Sequence, residues 1–368
     1  MVSKAKGEPQ PLSSPSNAPI PSNQLAANLD PSVLQKNLQR QFNQHSSARG
    51  ELTMPCVPSM LDYALSRLER LFEAIGRQLS PEELQKLRDL IASKIQEGFL
   101  ASPHARLVIQ YEPDPASLNS LTCNVSTNIL SVAQQYQQWI QNREPPLFGS
   151  HPDAKVMATA AQLEDPARNP ILDVGAGTGR NSLPLARKGH PVDALELTPG
   201  LAEQVLNAAV AENLPIRVIQ GDILDPLVRM RPAYYKFAIV AEVVSHFRDN
   251  DQVRLLLAKM CDVIQGSGLL LFNVFLAVDG YEPNERVREM SQVAGSYIMT
   301  RSELKRAMED LPLEMLSDES VLDYERTHLP QEAWPPTNWF VSWTSGRDLF
   351  PIQETPPMEL RWILCRRY

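Results

Sequence analysis

Ile171-Leu172-Asp173-Val174-Gly175-Ala176-Gly177-Thr178-Gly179-Arg180 decides the fold of this 368-residue chain. An apolar run suited to a buried strand passes into three glycines at alternate positions, and a helical pattern follows over 180–188. Glycine takes positive φ at little cost and lets the backbone approach a ligand, so the segment reads as strand, tight turn and helix. It has no Gly-Lys-Ser/Thr, which excludes an ordinary P-loop, and its spacing is not the G-x-G-x-x-G of a dinucleotide fold.

Outward from the loop, strands and helices alternate. Helices are expected over 154–163, 180–188, 199–212 and 250–264, with strands at NPILDV, PVDALEL, IRVIQ, KFAIVAEV and GLLLFNVFL. Near-continuous apolar strands with helices between them imply a parallel sheet covered on both faces, a doubly wound α/β domain. Three carboxylates fall at successive strand ends. Asp173, just before the glycines, would repel a pyrophosphate but can accept from an ammonium group. Glu196, 21 residues after Gly175, can take both hydroxyls of a ribose. Asp222, beside the apolar Ile223 in GDILD, can accept from an adenine amine. Together they suit an adenosyl ligand that carries an amino acid.

DVGAGTG, the Glu196 of ALELTP and GDILD at these spacings resemble the nucleotide-binding motifs of the class I S-adenosylmethionine-dependent methyltransferases. The resemblance implies a Rossmann-like seven-stranded doubly wound sheet whose last strand, MELRWILCRRY, inserts antiparallel beside a strand near LEMLSDESVL. It also implies S-adenosyl-L-methionine as cofactor, with Asp173, Gly175 and Gly177 at the methionine end, Glu196 at the ribose, and Asp222 with Ile223 at the adenine. GRNSLPLARKGHPVDALE and MTRSELKRAME are similar to the tellurite-resistance-type methyltransferases, although this chain is far longer and has Phe237-Ala238 where that group often has an Asp.

The acceptor side is less defined. Methyl transfer from a sulfonium is an in-line displacement, so the enzyme aligns a nucleophile and removes a proton where one must leave. Glu242 and His246 in AEVVSHF and Tyr281 in VDGYEP follow the relevant strands and are the catalytic candidates. His246 has the intrinsic pKa of a general base, or else it lines a helix start and bonds to backbone. The segment 327–358, with Trp334, Trp339 and Trp343, is either a lid or a packing flap. Tyr136 and Trp139 either close the site from the other side or pack between domains.

The chain before the sheet divides in two. Residues 1–50 contain six prolines, eight serines and two acidic residues, the composition of a disordered tail. Residues 51–145 read as a small α+β substrate-recognition domain, ahead of a methyltransferase domain over 146–368. Leu61, Leu65, Leu68, Phe72 and Ile75 recur at helical spacing up to Gly76, and a second helix opens at Ser80-Pro81-Glu82-Glu83. A hairpin follows around DPASLNS, giving an α-α-β-β unit. A small metabolite does not require such a unit, whereas a folded protein substrate would benefit from one. With EPPLFGSHPDAKV, it also gives the whole chain a resemblance to the cyanobacterial phycobiliprotein asparagine methyltransferases. Where many amide-nitrogen methyltransferases carry Asn-Pro-Pro-aromatic, this chain reads Ala241-Glu242-Val243-Val244. Methylation of a protein side chain is therefore expected, with a small molecule or metalloid oxyanion as the alternative acceptor.

Composition closes off other classes. A net charge of −8 argues against a generic basic surface for nucleic acid or anionic lipid. IQGSGLLLFNVFLAV, at 264–278, is too short to span a membrane. The four cysteines form no C-x-x-C pair, so neither a disulfide framework nor a thiolate metal site is signalled. The N-terminal stretch has no apolar core of signal-peptide length, and a cytoplasmic protein is expected.

Overall fold

The computed structural model describes residues 49–74, 79–113 and 121–368, together with Ser32 and Gln35. The expected tail up to residue 48, the helix stop at Ile75 and Gly76, and the turn at 114–120 lie outside the described residues.

The small unit begins with β1 (Gly50–Pro55), a strand that the sequence pattern does not announce. Its inward positions are Gly50, Leu52 and Met54, none fully buried, so the alternation is weak. Helices α1 (Leu61–Ala74) and α2 (Pro81–Ala101) follow. The expected capping box forms at α2, with Glu83 N–H donating to Ser80 Oγ at 3.2 Å and Ser80 N–H donating to Glu83 Oε2 at 2.8 Å. β2 (Arg106–Pro113) pairs antiparallel with both β1 and β3 (Leu121–Asn128), so the unit is β-α-α-β-β rather than α-α-β-β. Leu65, Leu68, Phe72, Ile91, Ile95, Leu107 and Ile109 form its core. Two helices then lead to the large sheet, α3 (Val132–Asn142) and α4 (Ala154–Ala160).

The large sheet takes its strands in the order expected of a Rossmann-like methyltransferase. β4 (Ile171–Val174), α5 (Ser182–Arg187), β5 (Val192–Glu196), α6 (Pro199–Ala211) and β6 (Ile216–Gln220) build one half. β7 (Tyr235–Val240), α7 (Asn250–Val263), β8 (Ile264–Ala277), α8 (Glu285–Val293), β9 (Ile298–Met299), α9 (Arg301–Met308), β10 (Leu313–Ser320), α10 (Val321–His328), α11 (Phe340–Thr344) and β11 (Met358–Arg367) build the other. The order is β10-β11-β8-β7-β4-β5-β6, with β11 antiparallel between β10 and β8 and the short β9 also paired to β8. β4 pairs in parallel with β5 on one side and β7 on the other. The chain order reverses there, which opens a crevice at the carboxyl ends of those strands.

The tryptophan-rich segment is a packing flap. Phe340 and Trp343 are buried against the face that carries Phe275 and Leu360, Trp343 lies edge-on to Phe275 at 5.1 Å, and its Nε1–H donates to Gly295 O at 3.1 Å. On the same face Trp362 of β11 donates its Nε1–H to Glu325 Oε1 at 3.1 Å, and Glu325 also accepts from the backbone N–H of Ala154 at 2.7 Å and of Lys155 at 3.2 Å. The start of α4 is thus tied to the sheet through one buried carboxylate. Trp362→Ala should destabilise the protein by about 3–5 kcal/mol, the usual cost of emptying a buried aromatic site; urea unfolding would show a lower midpoint with an unchanged slope.

Candidate active site

At the carboxyl edge of β4, β5, β6 and β7 lies a cavity of about 500 Å³. Its floor is the glycine loop. Gly175, Gly177 and Gly179 have φ of 73°, 56° and 84°, a region where a side chain would be strained. Space matters as well, since a Cβ on Gly175 would lie 2.4 Å from Val243 Cγ2. The loop is pinned to β5 because the Gly175 and Ala176 N–H groups donate to Leu195 O at 2.8 and 3.1 Å.

Of the sequence candidates, Gly175, Gly177, Glu196, Asp222, Ile223, Glu242 and His246 line this one cavity. Glu196 Oε2 accepts the Gly177 N–H at 2.8 Å and Oε1 the Thr198 N–H at 2.7 Å, so the carboxylate fixes the loop and keeps lone pairs for a ligand. Burial raises its pKa against the pull of these N–H groups. Asp222 Oδ1 accepts the Leu224 N–H at 2.8 Å, and the buried Ile223 lies beside it.

Two candidates lie apart from the cavity walls. Asp173 is one layer behind the loop, where it accepts from Ser182 Oγ at 2.6 Å, and burial raises its pKa to about 6. Tyr281 is removed because β8 overshoots β7. Val240, the last residue of β7, pairs with Phe272, and β8 runs on to Ala277, about 16 Å further at the strand rise. Tyr281 then meets Phe350 edge-on at 6.2 Å, within the packing flap.

Glu242 has φ of 61°, rare for a residue with a side chain and worth about 1–3 kcal/mol of strain. Its N–H donates to the Asn273 side chain of β8 at 2.7 Å, and its Oε1 accepts from Arg180 Nη2 at 3.1 Å. Arg180 also grips Asp153, with Nη1 to Oδ1 at 2.6 Å and Nη2 to Oδ2 at 3.1 Å. One guanidinium therefore serves two carboxylates, the buried Asp153 and the half-buried Glu242. Burial, opposed by Arg180 and joined by Asp153, raises the pKa of Glu242 to about 7. Glu325, buried on the other side of Asp153, is likewise raised to about 7.

His246 is half-buried, and its pKa falls to about 4 through desolvation and the nearby His104. Its Nε2 meets the Tyr136 hydroxyl at 2.8 Å. Tyr136, on α3, also lines the cavity and lies edge-on to Trp139, Phe148 and His246. Residues 101–103 and 131–133 complete this side, so the ends of α2 and α3 face the loop. Sequence reading gave no role to Arg180, although it stands directly after the glycines. Asp153 and Arg248 carry no local signal, because their contacts are made across 27 and 149 residues.

The donor set fits a cationic adenosyl compound. Glu196, Asp222 and Glu242 line the cavity, Asp173 lies behind its floor, and Arg180 beside Glu242 is already shared with Asp153. Residues 171–268 match the model of a methyltransferase domain. This stretch of the chain is thus a methyltransferase domain, the enzyme class the sequence motifs imply, with S-adenosyl-L-methionine as the expected cofactor. No curated protein matches its sequence. Its fold is similar to that of the geranyl diphosphate C-methyltransferase of Streptomyces coelicolor A3(2), solved with Mg2+, geranyl diphosphate and S-adenosyl-L-homocysteine, at 16% identity and TM-score 0.44, over 64% of this chain and 97% of that one. It is similar too to phosphoethanolamine N-methyltransferase 2 of Haemonchus contortus in complex with S-adenosyl-L-methionine, at 14% identity and TM-score 0.47, over 67% and 63% of the two chains. A third similar structure is the [4+2]-cyclase SpnF, at 13% identity and TM-score 0.44, over 64% and 95%. At these identities the likeness is one of fold. Among the described residues no helix is long and apolar enough to cross a membrane, and no group of three or more His, Cys, Asp or Glu side chains could hold a metal.

The raised pKa of Glu242 has a sign that can be tested without a substrate. The folded protein holds this proton more tightly than the unfolded chain, so between about pH 4.5 and 7 stability falls as pH rises. Glu242→Gln has no such proton to lose. The melting temperature of the variant minus that of the wild type should therefore climb across this window in a pH series of thermal melts.

Proposed function

We propose that this enzyme methylates a protein side chain, with an asparagine of a phycobiliprotein as the acceptor its whole-chain resemblance points to. The make-up of the cavity wall carries this reading. Residues 101–103 and 131–133 and Tyr136 belong to the small unit and its connecting helix, outside the matched segment 171–268. The exposed Leu100 and Ile129 flank these wall segments and offer apolar contact to a protein surface. A cavity of about 500 Å³ is the size of one drug-sized ligand, so with the cofactor bound the acceptor enters as the tip of a side chain.

Gly175 and Gly177 cradle the methionine end, steadied from behind by Asp173. Glu196 accepts from the ribose hydroxyls, and Asp222 with Ile223 takes the adenine. S-adenosyl-L-methionine supplies an electrophilic methyl group on a positively charged sulfur. The chain supplies alignment and a proton acceptor, for which Glu242 is the better candidate. A base works best with a pKa near the working pH, and burial moves Glu242 towards that value while it moves His246 away.

The purified enzyme, incubated with methyl-labelled S-adenosylmethionine and an extract lacking its own activity, should label one protein band. Label confined to soluble or volatile compounds would instead favour a small-molecule or metalloid acceptor. Once a labelled acceptor is in hand, kcat/KM for S-adenosylmethionine should rise with pH through about 7 as Glu242 of the free enzyme ionises. In Glu242→Gln this limb should vanish and the rate should fall by about 10²-fold or more, the usual contribution of a positioned base.

A further inference from the structure

Tyr136 and His246 meet at 2.8 Å, but either can be the donor. The other ring nitrogen resolves the choice. Among the described residues His246 Nδ1 is buried and has no hydrogen-bond partner. If the proton were on Nδ1, a buried N–H would be left unpaired, an arrangement that is rare in folded proteins and costs about 1–3 kcal/mol. A bare lone pair there is the lesser penalty, so the proton belongs on Nε2. Nε2–H then donates to the Tyr136 oxygen. The hydroxyl hydrogen of Tyr136 is not spent on His246 and is free to turn towards the cavity that the residue lines.

The ring that carries this hydroxyl is fixed. Trp139, Phe148 and His246 lie edge-on to it with centroids at 5.1, 5.8 and 5.6 Å. Phe148 also borders the glycine loop, since a Cβ on Gly177 would lie 3.5 Å from Phe148 Cδ2. Tyr136 is therefore one ring away from the loop that holds the methionine end. The imidazole is kept uncharged from both sides. It is desolvated, and it faces the His104 ring at 6.3 Å, itself beside Arg106 and Arg248, while the carboxylates of Glu242 and Glu196 face Tyr136. Burial also lifts the pKa of the Tyr136 hydroxyl, so it stays protonated as a donor.

We propose that Tyr136 is a catalytic residue whose hydroxyl donates a hydrogen bond to an oxygen lone pair of the methyl acceptor other than the lone pair that attacks, and that His246 is a positioning residue that orients it through Nε2–H. The inference rests on the reading of this cavity as the methyl-transfer site and holds for either class of acceptor. It places the donor outside the segment 171–268, on a helix that precedes the methyltransferase domain.

The test uses the full chain with 15N-labelled histidine rings, saturated with S-adenosylhomocysteine. Two-bond 15N–1H correlation should show His246 as the Nε2–H tautomer, neutral from pH 8 down to about 5, with its Nε2 resonance shifted in Tyr136→Phe. In Tyr136→Phe, calorimetric affinity for S-adenosylhomocysteine should be retained. Transfer of labelled methyl to the extract acceptor should fall by about tenfold or more, the worth of one hydrogen bond made in the transition state. His246→Asn, which still presents an N–H, should retain more transfer than His246→Leu. An Nδ1–H tautomer, an imidazolium at neutral pH, undiminished transfer by Tyr136→Phe, or equal transfer by the two His246 variants would overturn the proposal. Failure of the wild type to bind S-adenosylhomocysteine would instead strike the reading of the cavity itself.

Discussion

The buried guanidinium of Arg180 is the constraint on which the site depends. Its side chain is 9% exposed, and Asp153, its bidentate partner, is 4% exposed. Two charges taken out of water are tolerated only when their geometry is good and their remaining donors and acceptors are used. Here they are. Asn181 Nδ2 donates to Asp153 Oδ2 at 2.9 Å, and the Asp153 N–H returns to Asn181 Oδ1 at 2.9 Å. The pair locks the start of α4 to the residue that follows the glycine loop, and the second nitrogen of the fork reaches Glu242 after β7. Three segments far apart in sequence thus take their positions from one side chain. Glu325 extends the chain of contacts, since it holds the first turn of α4 and is itself held by Trp362. Packing on the flap side of the sheet is in this way transmitted to the cavity floor.

The other wall depends on a second arginine. Arg248 donates to the carbonyl of Phe99 near the carboxyl end of α2 and lies 4.5 Å over the Phe99 ring. A cation at that end of a helix satisfies a carbonyl that the helix leaves free and complements its dipole. In the same unit Ser59 N–H donates to Glu289 Oε2 at 2.7 Å, and Arg286 donates to Ser59 O at 3.3 Å. The small sheet is therefore fastened to the methyltransferase domain at two points, with the wall residues 101–103 immediately after the first. Arg248 is two residues from His246, so the same short turn sets both the docking of α2 and the partner of Tyr136.

What the sequence makes legible follows from how local each signal is. The glycine loop, the apolar strands and the antiparallel last strand are all written within a few residues, and each was expected where it is found. Glu196 and Asp222 belong to this class because a carboxylate at the end of a strand is readable from the strand alone. β1 escapes notice because its inward positions begin with a glycine and its final residue is a proline. Tyr281 looks like a neighbour of Glu242 only while β7 and β8 are imagined to end level, and nothing in VDGYEP encodes the overshoot. Asp173 follows the loop motif, yet its oxygen is drawn backwards by Ser182, nine residues on. Arg180 and Asp153 owe their place to contacts that no window of sequence contains, whereas Tyr136, expected either to close the site or to pack between domains, lines the cavity. The left-handed backbone of Glu242 is likewise invisible, because glutamate is not a residue that marks positive φ.

Burial acts on this site in one direction for acids and in the other for bases. Asp173 and Glu242 are pushed up towards neutral pH and His246 is pushed well below it, while Arg180 is matched by Asp153. A cationic ligand changes that balance more than a neutral one, because an added positive charge lowers the cost of ionising every carboxylate around it. The sulfonium therefore favours the deprotonated form of Glu242, the form in which it can receive a proton from the acceptor. Once the methyl group has left, the sulfur is neutral, the added charge is gone, and a protonated Glu242 is again the stable state. In the reading proposed above, with Glu242 as the base, the same burial that makes an isolated carboxylate costly would tie its readiness to the charge of the methyl donor.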